Sequence, residues 1–198
     1  MENYAVINGV TYDLVKREEA TEVQRTKLSA VAVGDTTMIG SHEMIVLDHI
    51  GDTTLLLRKD LLAKMQFGKN NNYNGSDADK SCNEFADELA GIVGEDNILL
   101  HEVDLTADDG LKDYGKIQRK ASLLTTERYR QYVEILDKYK IDAWWWLATA
   151  FSTPRHDEDN WVKCVSPSGF FLDNYYYFYG YFGVRPFCIL KSNIFVSN

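Results

Sequence analysis

Nine of the thirteen residues from Phe170 to Phe182 are Phe or Tyr. Such a segment suits adhesion better than bond-making. A Tyr ring gives large, stiff contact area with two torsions to freeze, and its hydroxyl bonds a partner or water. A core strand would carry Val, Ile and Leu, and here only Leu172 is of that kind. Side chains alternate along a strand, so Tyr175, Tyr176 and Tyr177 cannot all face one side. An aromatic layer inside a β-sandwich is the competing reading; the expectation is rings facing solvent. The polar stretch Phe151–Asn160 is the second part of the same surface. The candidate contacts are Phe151, Arg155, His156, Asp157, Asp159, Phe171, Asp173, Tyr175, Tyr177, Tyr179 and Tyr181. Rings would supply area, and Asp, His and Arg would set specificity.

Other chemistry finds little support. His42, His49, His101 and His156 are scattered, and no HExxH, phosphate-cradling Gly-rich loop or GxSxG occurs. Arg155-His156-Asp157 carries acid–base groups, but adjacent residues rarely converge on one substrate atom. No catalytic residue is assigned, and the expectation is a protein that is not an enzyme. Glu158-Asp159-Asn160-Trp161 is oxygen-rich enough to suggest Ca²⁺, yet reads as a solvated loop. Cys82, Cys164 and Cys188 form no CxxC pair, so no metal or cofactor is expected. They read as free buried thiols, with a Cys164–Cys188 bridge as the alternative.

Length and charge set the frame for this surface. A chain of 198 residues can bury one sizeable core. The net charge of −9 argues against nucleic acid, whose phosphates need clustered Lys and Arg, and against an anionic membrane. No apolar run approaches the ~20 residues needed to span a bilayer, so no membrane insertion is expected. Met1-Glu-Asn-Tyr lacks a basic start and an apolar stretch, so no signal peptide is read. The expectation is synthesis in the cytoplasm, compatible with display on a phage virion.

Several elements must position the surface. Residues 1–30 read as a lead-in and attachment segment, with a hairpin around Asn8-Gly9 and a charged stretch Lys16–Lys27. The domain proper is 31–198. Three apolar runs, Thr37–Gly40, Glu43–Asp48 and Thr53–Arg58, separated by Gly40-Ser41 and Gly51-Asp52, predict an antiparallel meander. A short helix is expected over Lys59–Met65 and a surface loop over 68–80. Phe85, Leu89, Ile92 and Val93 predict a helix Ser81–Val93, with Ser81 and Glu84 as a capping box and Gly94 ending it. Residues 101–120 look irregular. Tyr129, Tyr132, Val133 and Leu136 predict a helix Thr126–Tyr139 capped by Thr125. Trp144–Leu147, Trp161–Val165 and Gly183–Leu190 read as strands, with a turn at Ser166–Gly169. Trp145, Trp146, Gly183, Arg185 and Pro186 form the rigid frame. Gly183 would allow an unusual backbone angle, Pro186 fixes φ, and Arg185 would bond backbone carbonyls or a carboxylate.

The order Leu123-Leu-Thr-Thr-Glu-Arg-Tyr129, then Trp145-Trp-Leu147, then a polar stretch, then Gly183-Val-Arg-Pro186 resembles a family of C-type-lectin-fold domains of gut bacteria and their phages. Gly34-Asp-Thr-Thr-Met-Ile-Gly40 and Met44-Ile-Val-Leu47 extend the likeness over roughly residues 33–190. Within that group the chain is most similar to variable proteins of diversity-generating retroelements, in the formylglycine-generating-enzyme-like subgroup. The resemblance implies an α+β fold, with a twisted, mostly antiparallel sheet and two helices. It also implies a variable region at about 148–182, in which adenine mutagenesis changes Asn codons into Tyr, Ser, Asp, His, Phe and Gly.

The implied function is ligand binding through a diversified aromatic and polar surface. It would recognise a protein or carbohydrate on a cell or phage surface. The alternative is a non-diversified lectin-like module, structural or carbohydrate-binding. A third reading is an oxidase related to sulfatase-activating enzymes, but Cys164 and Cys188 do not reproduce that reactive pair. The Glu-Pro-Asn or Gln-Pro-Asp and Trp-Asn-Asp motifs of calcium-dependent sugar sites are also missing.

Overall fold

A computed structural model describes residues 4–8, 10–13, 25–171 and 174–197. It is an α+β structure built mostly of antiparallel strands. Strands β1 (Tyr4–Ile7) and β2 (Val10–Asp13) form the expected hairpin, with Asn8 at φ 52°, a left-handed angle that Asn tolerates. Next come β3 (Arg25–Lys27), β4 (Thr36–Ile39), β5 (His42–Ile50) and β6 (Thr53–Arg58). The last three pair in order as the predicted meander. The segment read as a lead-in is divided. Thr26 pairs with Val196 and Leu28 is fully buried, so residues 25–30 belong to the main sheet and its core.

Lys59–Met65 is not a helix. It is extended, and β7 (Ala63–Lys64) pairs along the edge of a second sheet. A helix so short has little to offset its nucleation cost, whereas the sheet edge offers ready backbone partners. Helix α1 runs Asp77–Val93, four residues earlier than predicted at its start. Ser76 is the N-cap, accepting from the Asp79 amide at 3.0 Å, and Asp77 and Asp79 suit the positive end of the helix. Ser81 lies buried one turn inside, so the loop read over 68–80 gives its last residues to the helix. Gly94 ends α1 at φ 90° as expected.

The irregular-looking 101–120 holds order. After β8 (Ile98–Leu99), β9 (His101–Asp104) and β10 (Lys116–Arg119) pair as a hairpin. After β11 (Ala121–Ser122), the helix predicted over 126–139 is broken into α2 (Thr126–Gln131), α3 (Val133–Leu136) and a 3-10 turn. The break is at Tyr132, whose ring is buried and whose hydroxyl reaches Asp48 at 3.3 Å. Thr125 caps α2 as predicted. The chain closes with β12 (Trp145–Ala150), β13 (Trp161–Val165), β14 (Asn174–Tyr176), β15 (Gly183–Val184), β16 (Phe187–Lys191) and β17 (Phe195–Ser197). The expected single strand Gly183–Leu190 is therefore two strands, joined by Arg185 and Pro186.

The larger sheet runs β11-β16-β6-β5-β4-β17-β3, and the second runs β14-β13-β12-β15-β7. Among the described residues only β12 and β15 pair in parallel. Alternation along β5 feeds two core clusters. Met44 and Val46 pack with Phe85 and Leu89 of α1, while Ile45 and Leu47 pack with Tyr129, Trp145 and Leu147. A third cluster, with Phe67, Cys82, Trp146, Val162, Cys164 and Phe182, lies on the other face of the second sheet. All three cysteines are buried and outside any disulfide; Cys164 and Cys188 sit in different clusters, so the alternative of a bridge between them is not realised. Among the described residues no helix is long and apolar enough to cross a membrane.

Candidate binding surface

The frame is built around Trp145 and Trp146. Trp146 is fully buried, donates its indole N–H to the Met65 carbonyl at 3.0 Å and lies 4.4 Å from the Phe182 ring. Trp145 pairs on one side with Val165 and on the other with Gly183. Residues 166–182 therefore leave and return on opposite flanks of one residue. Gly183 does not take the unusual angle expected of it. Its role is close approach, because an added Cβ would fall 2.4 Å from the Leu61 side chain. Arg185 bonds backbone carbonyls, with Nε donating to Arg58 O at 2.8 Å and Nη2 to Tyr139 O at 3.3 Å. Its guanidinium lies over the Trp145 ring, and burial pulls its pKa down to about 10, so it stays charged at neutral pH. The Pro186 carbonyl accepts from the Arg58 amide.

On this frame the aromatic segment splits between two faces. Tyr175 pairs with buried Val162, and its ring packs at 4.9 Å on both Trp144 and Phe182. Tyr177 and Tyr179 are half-buried against the same cluster. Tyr176 pairs with Trp161 on the opposite face, ring centroids 4.0 Å apart, and stacks on Phe178 at 5.2 Å. Phe178 is 51% exposed and Tyr181 55%. Tyr181 packs at 5.4 Å on Tyr179, so the rings form one connected strip running from the core to solvent.

Several expectations are corrected here. Tyr175, Tyr177 and Tyr179 were expected to face solvent but are half-buried, as are Tyr176 and Trp161 on the opposite face; the exposed rings are Phe178 and Tyr181. Within β14 it is Tyr175 that turns inward, whereas Tyr181 beyond the strand is exposed as expected. The register with Val162 decides the matter, since an apolar residue in the core cluster draws its cross-strand neighbour inward. Phe182, counted in the aromatic surface, is core. Phe171 leaves the strip and packs 4.9 Å from Tyr129, under Arg130. Asp173 lies outside the described residues.

The loop 151–160 borders the strip. Phe151 is 37% exposed and is tied by its amide to the Trp161 carbonyl. Arg155 and His156 are exposed, but both are engaged by the loop after β9: Arg155 pairs with Asp113, and His156 Nδ1 lies 3.1 Å from Asp109. Ser152 donates to the same Asp109 oxygen at 2.5 Å, and Thr153 donates to Asp113 at 2.6 Å. Burial raises the Asp109 carboxyl pKa, but hydrogen bonds from Ser152, the Leu111 amide and His156 outweigh it and hold it below the usual range. Asp157 is exposed at φ 56°, a left-handed angle open to Asp, and Asp159 is half-buried.

The residue that organises this loop was missed. Asn71 is fully buried. Its amide Nδ2 donates to the carbonyls of Ser152, Trp161 and Glu158 at 3.0, 3.1 and 3.2 Å, and its Oδ1 accepts from the Tyr114 hydroxyl at 2.6 Å. Its backbone amide also donates to Asp159 O. Burial, then the nearby Asp159 and Asp113, push the Tyr114 hydroxyl up to about 12. Within Asn70-Asn71-Asn72 nothing distinguishes the middle residue except that Tyr73, two positions on, is also buried.

Ser152, His156 and Asp109 bring the groups of a hydrolytic triad together but in the wrong order. A triad needs one imidazole nitrogen on the serine and the other on the carboxylate. Here His156 uses Nδ1 toward both, and Ser152 hydrogen-bonds the carboxylate directly. Among the described residues no three His, Cys, Asp or Glu side chains gather as a metal site. An open cleft of about 410 Å³ between β9–β10 and α2, lined by His101, Lys116, Arg128 and Gln131, shares no residue with the strip. Compared with known protein families, curated proteins and solved structures, the chain matches none.

Proposed function

We propose that this chain is a ligand-binding protein whose binding surface is the aromatic strip with its bordering loop. The observation that carries this reading is the pair of exposed rings Phe178 and Tyr181, backed by half-buried Trp161, Tyr176 and Tyr179 and emerging from a fully buried frame. About half of a ~200 Å² ring is free on Phe178 and on Tyr181, so covering each would yield about 2.5 kcal/mol at ~25 cal/mol per Å², before association costs. The scaffold we infer is a C-type-lectin-like fold, supported by the curled antiparallel sheet and the Trp-Trp-Leu and Gly-Val-Arg-Pro frame. The system we infer is a diversity-generating retroelement, with residues 148–182 as the varied segment and a cell or phage surface as the target. Diversification suits this geometry, because the outer rings and exposed loop residues can change without disturbing Trp145, Trp146, Val162 or Arg185.

The test of the system is the DNA beside the gene. A reverse transcriptase and a near-copy of the segment encoding 148–182, differing at adenines, are expected. Finding neither favours the non-diversified lectin-like module. The test of the surface is Tyr176→Ser with Phe178→Ser. Ligand affinity should fall at least tenfold while thermal stability stays near that of the parent; undiminished binding removes the strip from the site.

A further inference from the structure

The loop beside the rings carries negative charge that the described fold does not neutralise. Arg155 and His156 are each opposed by a carboxylate, Asp113 and Asp109. Asp108 is shared by Lys163 at 3.3 Å and Arg130 at 3.7 Å. That leaves Asp157, Glu158 and Asp159 without an ion-pair partner among the described residues. They sit directly before Asn160, whose carbonyl accepts from the Tyr177 amide, and Trp161, whose ring lies 4.0 Å from Tyr176. Exposed Asp157 and half-buried Glu158 and Asp159 therefore lead directly into the strand that carries Trp161. Three guanidinium groups of this fold lie over aromatic faces, those of Phe187, Phe171 and Trp145. None of these three covered rings is Trp161, Tyr176 or Phe178. Aromatic faces attract cations, and flanking carboxylates reinforce that attraction while repelling anions.

We propose that the surface takes a basic protein segment, with Lys or Arg side chains laid over Trp161, Tyr176 and Phe178 and their charges met by Asp157, Glu158 and Asp159. This rests on the strip being the binding surface. Charge complementarity selects the occupant. An acidic segment would face the carboxylates unshielded, and a neutral glycan would leave them uncompensated. The overall net charge of −9 draws the same class of partner from a distance.

The test is selection of a random peptide library, displayed on phage, against the full chain at low salt. Two variants run in parallel: Tyr176→Ser/Phe178→Ser/Tyr181→Ser, and Asp157→Asn/Glu158→Gln/Asp159→Asn, each checked for an unchanged melting transition. Expected are enriched peptides rich in Lys and Arg that bind the parent chain. The same peptides should bind about tenfold more weakly to the charge variant, as three surface pairs of modest strength imply, and not measurably to the ring variant. Neutral or acidic peptides that are lost on the ring variant would overturn the basic partner and leave the binding surface standing. A signal on a glycan array without peptide enrichment would do the same. Enrichment indifferent to the ring substitutions, or none of either kind, would overturn both.

Discussion

Removing the Asn71 side chain should loosen the loop 151–160 from the rest of the fold. The amide makes three bonds to loop carbonyls and accepts one from Tyr114, and the side chain is fully buried. Nδ2 carries two protons for three carbonyls, so one of those bonds is shared. At about 1 kcal/mol net for each well-formed bond, Asn71→Ala should cost about 3 kcal/mol. For a chain of this size that is a melting temperature lower by roughly 6–12 °C. Tyr114→Phe removes one bond and should cost about 1 kcal/mol. Asn71→Asp keeps the shape but turns a carboxylate toward three carbonyl oxygens, so it should cost more than Ala. Urea denaturation gives the energies. Amide hydrogen exchange at Phe151 and Tyr177, which bond the Trp161 and Asn160 carbonyls, gives the location. An Asn71→Ala protein within 1 kcal/mol of the parent, with both amides as protected as before, would refute the reasoning.

Other consequences are as direct. Burial, with Arg128 nearby, pulls the His101 imidazole from 6.5 to about 4. Between those values the unfolded chain binds the proton and the folded one does not. Stability should therefore fall by up to about 3 kcal/mol as pH drops from about 6.5 to about 4, and His101→Gln should lack that part of the slope in urea titrations. Gly183→Ala should cost about 1–2 kcal/mol through overpacking on Leu61, and a Leu61→Ala change in the same chain should recover most of it; no recovery would point elsewhere. Burial pushes the Cys82 and Cys188 thiols up to about 12, so neither should react with a disulfide reagent at pH 8 until denaturant is added.

The meander, the Asn8 hairpin, the Gly94 stop and the Thr125 cap were legible because each is a local signal. Apolar runs, turn residues and a capping hydroxyl act within a few positions of themselves. What escaped depends on distant partners. Lys59–Met65 is extended because β15 lies beside it, and the start of α1 moved to Ser76 because that hydroxyl, not that of Ser81, meets a free amide. The 101–120 hairpin has a long connection, residues 105–115, whose Asp109-Gly110 turn does not join the two strands directly as a tight hairpin turn would. The density of rings between 170 and 182 marked a segment that does reach solvent at Phe178 and Tyr181, but composition has no memory of which face is which. The facing of Tyr175 and Tyr176 is set by Val162 and Trp161 on the next strand, and Asn71 works through carbonyls some ninety residues downstream. The frame was better read, since Arg185 does bond backbone carbonyls, although Gly183 serves proximity and not torsion.

Both ends of 166–182 are moored to Trp145, one through Val165 and the other through Gly183. This makes the stretch a cassette. Grafted residues or a changed length inside it need not shift any strand outside, and doubling such an excursion adds only about 0.6 kcal/mol of closure entropy. A protein engineer could treat the two moorings as fixed terminals and exchange the outward residues between them, keeping Tyr175 and Phe182, which pack in the core.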